Sequence, residues 1–173
     1  MLTLFFAPGA SSMAIHIALY EIGAPFDARP LSFAKREQRS PAYLAINPEG
    51  KVPTVLIDGR PLTEVAGILF YLAKRFPAAN LLPDGIEGEA QAVSWMSFIA
   101  STLHPARARG LDYASQVYTL ADQRLGARDW TLGAYSIVPD AFPNLDAHYH
   151  RMMARPAVQR TLEIESSIGY ALP

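Results

Sequence analysis

Cysteine is absent from all 173 residues, which excludes disulfides, zinc–thiolate sites and a protein thiol nucleophile together. Any sulfur chemistry in which the chain takes part has to arrive with a ligand. An excess of charge of one sign is missing too. With 15 Lys and Arg against 16 Asp and Glu, the net charge is −1, and nothing electrostatic favours nucleic acid or an anionic membrane as a partner. No apolar run approaches the roughly 18 residues of a membrane span. The opening Met1-Leu2-Thr3-Leu4-Phe5-Phe6 turns at Pro8-Gly9 without the basic region and long apolar stretch of a secretory signal, so a cytoplasmic protein is expected. His148 and His150 stand two apart in a helical pattern and do not share a face. No metal is therefore expected.

Half of the residues are apolar and 18% are charged, a balance that supports a buried core and a globular chain. Leu2 to Phe6 reads as a buried strand closed by Ala7-Pro8-Gly9. Ser11 and Ser12 follow where a helix would be capped, and Met13, Ile15, Ile17, Leu19 and Ile22 make the next segment apolar on nearly every side, with Gly23 as its stop. Phe26 to Leu31 is a second extended run, so the chain opens as strand, helix, strand, which favours a parallel pair with a right-handed crossover. Ser40 to Ile46 reads as a short helix leading into the turn formers Asn47-Pro48-Glu49-Gly50. Val52 to Ile57 is a strand with Pro53 near its start, and Asp58-Gly59 signals a hairpin into Arg60-Pro61-Leu62. After Thr63-Glu64, the residues Val65, Ile68, Leu69, Leu72 and Phe76 form one helical stripe.

Residues 77–85 carry proline, asparagine, aspartate and glycine and break this pattern. The expected organisation is an α/β domain over residues 1–76 with a four-stranded mixed sheet, a linker over 77–85, and an all-helical domain over 86–173. In the latter, Val93, Met96, Ile99 and Leu103 form one stripe and Tyr113, Val117, Leu120 and Ala121 another. Pro143 and Pro156 each open a helix. Residues 133–142 show no periodic segment.

Three stretches carry a resemblance. Phe6-Ala7-Pro8-Gly9-Ala10-Ser11-Ser12, Asn47-Pro48-Glu49-Gly50-Lys51-Val52-Pro53 and Leu62-Thr63-Glu64-Val65-Ala66, in this order and spacing, resemble the glutathione-binding half of cytosolic glutathione transferases, most closely bacterial beta-like members. The run Ala154-Arg155-Pro156-Ala157-Val158-Gln159 is similar to that family's last helices. The resemblance implies a thioredoxin-like first domain, glutathione as co-substrate, a small hydrophobic electrophile as the second substrate, and a homodimer.

Residue by residue, it implies the following roles. Ser11 directs its hydroxyl at the glutathione thiol, where the field at the start of the first helix also favours the thiolate. A free thiol has a pKa of about 8.5 and needs such help at neutral pH. The alternative is that Ser11 or Ser12 only caps the helix. Val52 precedes the family's cis-proline, here Pro53, and pairs through its backbone with the cysteinyl segment. Glu64 faces the γ-glutamyl amine while the N–H groups beginning at Val65 face its carboxylate. Lys35 and Lys51 are candidates for the glycyl carboxylate, with solvated surface charge as the alternative. His104, in Leu103-His104-Pro105, matches a histidine facing the active-site cleft, whereas His16 lies inside an apolar helix and reads as structural.

The chain departs from the family pattern at several places. Serine stands at 11 where beta-like members usually have cysteine, Phe6 stands where relatives often have tyrosine, and Val65 stands where serine is usual. Serine can stabilise a thiolate but cannot form a mixed disulfide. After Tyr135-Ser136-Ile137 the chain passes directly to Phe142-Pro143, leaving no room for the long buried helix that family members have there. Either the helical domain is shortened, or the protein contains more residues than these. Two functions follow as expectations: conjugation of glutathione to small electrophiles, with glutathione-dependent peroxide reduction beside it, or a non-enzymatic glutathione-binding or regulatory module that keeps the fold.

Overall fold

The computed structural model describes residues 1–126 and 142–169. Segment 127–141, which contains the expected departure from the family pattern after Ile137, lies outside the described residues.

Strand β1 (Leu2–Phe6) alternates buried and partly buried residues, the period-two signature of a pleated strand covered differently on its two faces. It pairs in parallel with β2 (Phe26–Pro30), Leu2 opposite Phe26 and Phe6 opposite Pro30. On its other side it pairs antiparallel with β3 (Thr54–Ile57), which turns back through Asp58-Gly59 into β4 (Arg60–Thr63). Both turn residues have positive φ, 50° at Asp58 and 84° at Gly59, as the hairpin signal requires. The sheet order is β2-β1-β3-β4.

Helix α1 (Met13–Ile22) crosses between β1 and β2 and buries every residue from Met13 to Leu19. It ends where the Gly23 N–H donates to the Leu19 and Tyr20 carbonyls. Helix α3 (Val65–Arg75) follows β4 and buries Ile68, Leu69, Leu72 and Ala73. Leu4, Phe6, Ile15, Leu19, Val55, Ile68 and Leu72 are nearly or fully excluded from solvent, and each such side chain stabilises the fold by about 1.5–3 kcal/mol. Phe5, pointing the opposite way from Leu4 and Phe6, meets Tyr43 of the short helix α2 (Pro41–Leu44) at 5.4 Å between ring centres. Ser40 caps α2 by accepting the Tyr43 N–H. A four-stranded mixed sheet with helices against it is the thioredoxin-like architecture expected from the sequence, and a helical region follows it.

The chain forms two compact units. One comprises Met1–Leu82 together with the chain from Pro156 onward, and the other Pro83–Arg155. This differs from the sequence reading, which placed residues 86–173 in the second domain. Helix α7 (Pro156–Ser167) belongs with the first unit because its buried residues, Ala157, Val158, Thr161 and Glu165, form a stripe packed on α1. Glu165 contributes to this attachment, as its carboxylate meets α1 and the turn before it.

In the second unit, α4 (Ile86–Phe98) continues through a π-helical turn (Ile99–Leu103) and a 3-10 segment (His104–Arg109). Helix α5 (Leu111–Leu125) and helix α6 (Pro143–Met153) complete it. The core contains Trp95, Leu103, Ala106, Ala114, Val117, Ala121, Leu125, Phe142 and Leu145. Two members of the expected stripes face outward instead. Val93 is 40% and Leu120 56% exposed, because the buried faces run through Ala92, Trp95 and Met96 on α4 and Ala114, Val117 and Ala121 on α5. Asp122, absent from the sequence reading, is buried and accepts the Leu145 N–H at 2.9 Å and the Asn144 amide at 2.9 Å. It thereby satisfies donors at the start of α6 that would otherwise have no intrahelical partner. No helix among the described residues is long and apolar enough to cross a membrane.

Candidate functional site

The register of the sheet brings the three motifs to one edge. Phe5 pairs with Thr54, and Thr54 pairs with Thr63. The turn after Phe6, the Val52-Pro53 step before β3 and the Glu64-Val65 step after β4 are therefore neighbours across three strands spaced about 4.8 Å apart. The Val52–Pro53 peptide bond is cis.

At the first of these positions the two serines have different surroundings. Ser12 is fully buried, and its hydroxyl accepts the Ala7 N–H and donates to the Ala7 carbonyl, both at 3.2 Å. It makes no side-chain capping bond to α1. Ser11 is partly exposed, and its hydroxyl has no partner among the described residues. The N–H groups of Ser11 and Ser12 likewise have no acceptor there, while α1 starts immediately beyond them. A hydroxyl and two N–H groups at a helix N-terminus form a setting that favours an anion.

The turn carrying Ser11 is tied from behind. Glu165 accepts the Gly9 N–H at 3.0 Å through one carboxylate oxygen and meets His16 Nδ1 at 2.9 Å through the other. His16 is fully buried and Glu165 3% exposed. The His16 ring lies among Phe6, Tyr20 and Phe26, with ring centres 4.7–5.8 Å away. The reading of His16 as structural is consistent with this, and the sequence contained a signal for its partner. His16 is the one titratable residue in the buried stretch Met13–Leu19 of α1, and Glu165 is the one acid on the buried stripe of α7. Buried groups of this type need each other.

At the third position Glu64 is exposed and has φ 65°, ψ 124°. Positive φ in a residue with a side chain is a strained state that persists where the surroundings impose it, and such states cluster at functional sites. The first intrahelical bond of α3 runs from Ile68 N to Glu64 O, which leaves the N–H groups of Val65, Ala66 and Gly67 pointing out of the helix start.

Between these positions the loop before β3 is braced by side chains the sequence reading did not single out. Tyr43 Oη donates to the Lys51 carbonyl at 2.5 Å and lies 2.9 Å from Thr54 Oγ1. Asn47 Nδ2 donates to the same carbonyl at 2.9 Å and to Thr54 Oγ1 at 3.1 Å. Burial pushes the Tyr43 phenol above its usual pKa, more than the hydrogen bonds to Thr54 and Asn47 lower it, so it stays a donor. Gly50 closes the turn at φ 62°, and a Cβ there would lie 2.8 Å from the Gln38 carbonyl oxygen. The position therefore demands glycine on both conformational and steric grounds.

The comparisons with known proteins agree with this geometry. The family model described as the glutathione S-transferase N-terminal domain matches residues 1–74. Glutathione S-transferase GST-4.5 of Xanthomonas campestris is 30% identical, over 94% of this chain and 98% of its own length. The chain belongs to the glutathione transferase family. Among solved structures, that of a sphingomonad glutathione S-transferase complexed with glutathione is 32% identical, with a TM-score of 0.81 and coverage of 95% of this chain and 98% of that one. The bacterial beta class glutathione S-transferase of Sphingomonas chungbukensis is 34% identical with a TM-score of 0.78, over 94% and 98% of the two chains. The alignment with the Xanthomonas transferase runs over 201 positions, more than the 173 residues here. That relative thus has residues without a counterpart in this chain. Several other curated transferases are matched over only about half of their own length.

The remaining predicted residues of this family member are placed as follows. Lys35 is exposed in the turn beyond β2, whose last residue pairs with Phe6, and its N–H donates to Ser32 Oγ at 3.3 Å. Lys51 is exposed, with its ammonium 3.1 Å from the Glu49 carboxylate. His104 is exposed and opens the 3-10 segment of the second unit. Among the described residues no group of three His, Asp or Glu could hold a metal ion. His148 is buried, while His150 is exposed and lies 3.5 Å from Asp146.

Proposed function

We propose that the chain binds glutathione along the edge formed by residues 7–12, 51–54 and 63–67 and transfers it to small hydrophobic electrophiles. The supporting observation is the strand register, which makes neighbours of three motifs that are separate in sequence. In this reading the thiolate lies against the Ser11 hydroxyl and the N-terminus of α1. The cysteinyl segment pairs with the Val52 backbone as an added strand. The γ-glutamyl carboxylate takes N–H groups at the start of α3, and Glu64 takes its amine. Lys35 and Lys51 supply positive charge for the glycyl carboxylate, Lys51 by exchanging Glu49 for the ligand. His104 is a further candidate for the glutathione-binding set. The thiolate can also reduce a peroxide, with a second glutathione completing the disulfide and the peroxide leaving as alcohol and water.

Retention on immobilised glutathione, and turnover of a panel containing an aryl halide, an activated alkene and an organic hydroperoxide, test this together. Binding with turnover of at least one member is expected. Binding without any turnover would instead assign the chain to a non-enzymatic module, and no retention would remove the glutathione site.

The chain is further proposed to act in the cytoplasm, in detoxification, as a homodimer associated through its helices. Val93, Leu111, Leu120 and Ile86, 40%, 79%, 56% and 82% exposed, are among the apolar residues available for such contact in the second unit. Covering apolar surface contributes about 25 cal/mol per Å², so even a modest interface contributes appreciably against a domain's net margin of roughly 5–15 kcal/mol. Sedimentation at micromolar concentration should give twice the 18.9 kDa chain mass. A stably folded monomer of that mass would refute the dimer.

A further inference from the structure

Tyr43 and Asn47 direct two donors at one carbonyl, and the geometry of a peptide unit converts this into a statement about the ligand edge. Both side chains are buried, at 3% exposure each, and together they occupy the acceptor capacity of Lys51 O at 2.5 and 2.9 Å. A carbonyl oxygen has two lone pairs, so its direction is fixed by two such donors. The Lys51–Val52 peptide carries that C=O and the Val52 N–H in one plane and on opposite sides of the C–N bond, because a trans peptide is flat and its two dipolar groups point in opposite directions. With the Lys51 oxygen held against the buried pair, the Val52 N–H is aimed the other way. It has no acceptor among the described residues. The same two side chains also reach Thr54 Oγ1, at 2.9 and 3.1 Å, so the chain is held on both sides of the Val52-Pro53 step. Asn47 is held in turn, its Oδ1 accepting the Glu49 N–H at 3.1 Å.

We propose that Tyr43 and Asn47 are positioning residues for the peptide co-substrate, orienting the Val52 N–H as a fixed donor for an extended backbone without touching the ligand themselves. This rests on the glutathione reading above. Its content is that affinity for the tripeptide depends on two side chains on the far side of the loop. Because the contact at Val52 lies away from the reacting sulfur, it strengthens ground state and transition state alike, and its loss moves KM rather than kcat.

Tyr43→Phe tests this with little disturbance of packing, since the ring that meets Phe5 is kept. The expected result is a rise in glutathione KM of about fivefold, the effect of one hydrogen bond, with kcat at saturating glutathione within about twofold and the electrophile KM unmoved. Asn47→Asp keeps the acceptor for Glu49 N–H but sets a carboxylate against the Lys51 carbonyl, and should raise glutathione KM further. Ser40→Ala provides the contrast: it removes the cap of α2, which carries Tyr43, but leaves the Tyr43 hydroxyl in place. It should lower the melting temperature without a comparable change in glutathione KM. If Tyr43→Phe lowers the melting temperature as Ser40→Ala does and leaves glutathione KM unchanged, the positioning role is wrong while the glutathione reading stands. If calorimetry shows that the parent protein does not bind glutathione, the underlying reading fails first and takes this one with it.

Discussion

Ser11→Ala is expected to lower kcat/KM for glutathione conjugation about 10- to 100-fold at neutral pH and to raise the pKa of the bound thiol by about 1–2 units. The magnitude follows from the type of bond. A hydrogen bond to a charged group is worth about 1.5–3 kcal/mol, and one pKa unit corresponds to 1.36 kcal/mol between protonation states. Where the pH lies well below the bound thiol's pKa, each unit of increase removes about nine-tenths of the remaining thiolate. The rate should therefore recover as pH is raised through the new pKa. Thiolate absorbance against pH measures the shift directly.

Ser12→Ala separates this chemistry from structure. Its hydroxyl is buried and satisfies both polar groups of Ala7, so removing it should cost about 1–3 kcal/mol of stability while leaving the thiol titration largely in place. An unchanged titration in Ser11→Ala would leave only the helix field and the N–H groups of residues 11 and 12 as the source of thiolate stabilisation. A shift in Ser12→Ala alone would move the assignment to the neighbouring hydroxyl.

The strands and the first and third helices could be read from the sequence because their signals are local: alternation in Leu2–Phe6, the Asp58-Gly59 hairpin, and the stripe through Ile68, Leu69 and Leu72. The ends of the motifs could also be placed, since each lies next to a strand. The groups behind the edge were less accessible. Tyr43 and Asn47 act on Lys51, eight and four residues away, through a fold-specific turn that no periodicity describes. Glu165 and Gly9 are 156 residues apart, and only the packing of α7 on α1 brings them together. On α4 and α5 the sequence indicated helices but assigned Val93 and Leu120 to the wrong face, because apolar residues stand on more than one side of each helix. Small residues such as Ala92, Ala114 and Ala121, which line the true contact, carry little hydrophobic signal.

Glu165→Ala is expected to have the largest effect on stability, about 3–5 kcal/mol, and to loosen the turn bearing Ser11 at the same time. One carboxylate serves two donors, the fully buried His16 Nδ1 and the part-buried Gly9 N–H. Truncating one member of a buried pair leaves the other without compensation, which is the costly case. At roughly 2–4 °C per kcal/mol for a chain of this size, the melting temperature should fall by about 6–20 °C. Glu165→Gln preserves the shape and one acceptor oxygen, so its cost should be clearly smaller. The double variant His16→Phe with Glu165→Leu distinguishes anchoring from packing. An aromatic ring at 16 fits among Phe6, Tyr20 and Phe26, and apolar replacement of a buried pair is often close to neutral, so most of the lost stability should return. The Gly9 N–H would still lack its acceptor, leaving the Ser11 turn untethered from α7. Glutathione affinity should therefore remain reduced in the double variant even as its melting temperature recovers. Recovery of both together would mean that the carboxylate stabilises the fold without positioning the turn, and a Glu165→Ala protein melting within about 2 °C of the parent would show that the buried pair does neither.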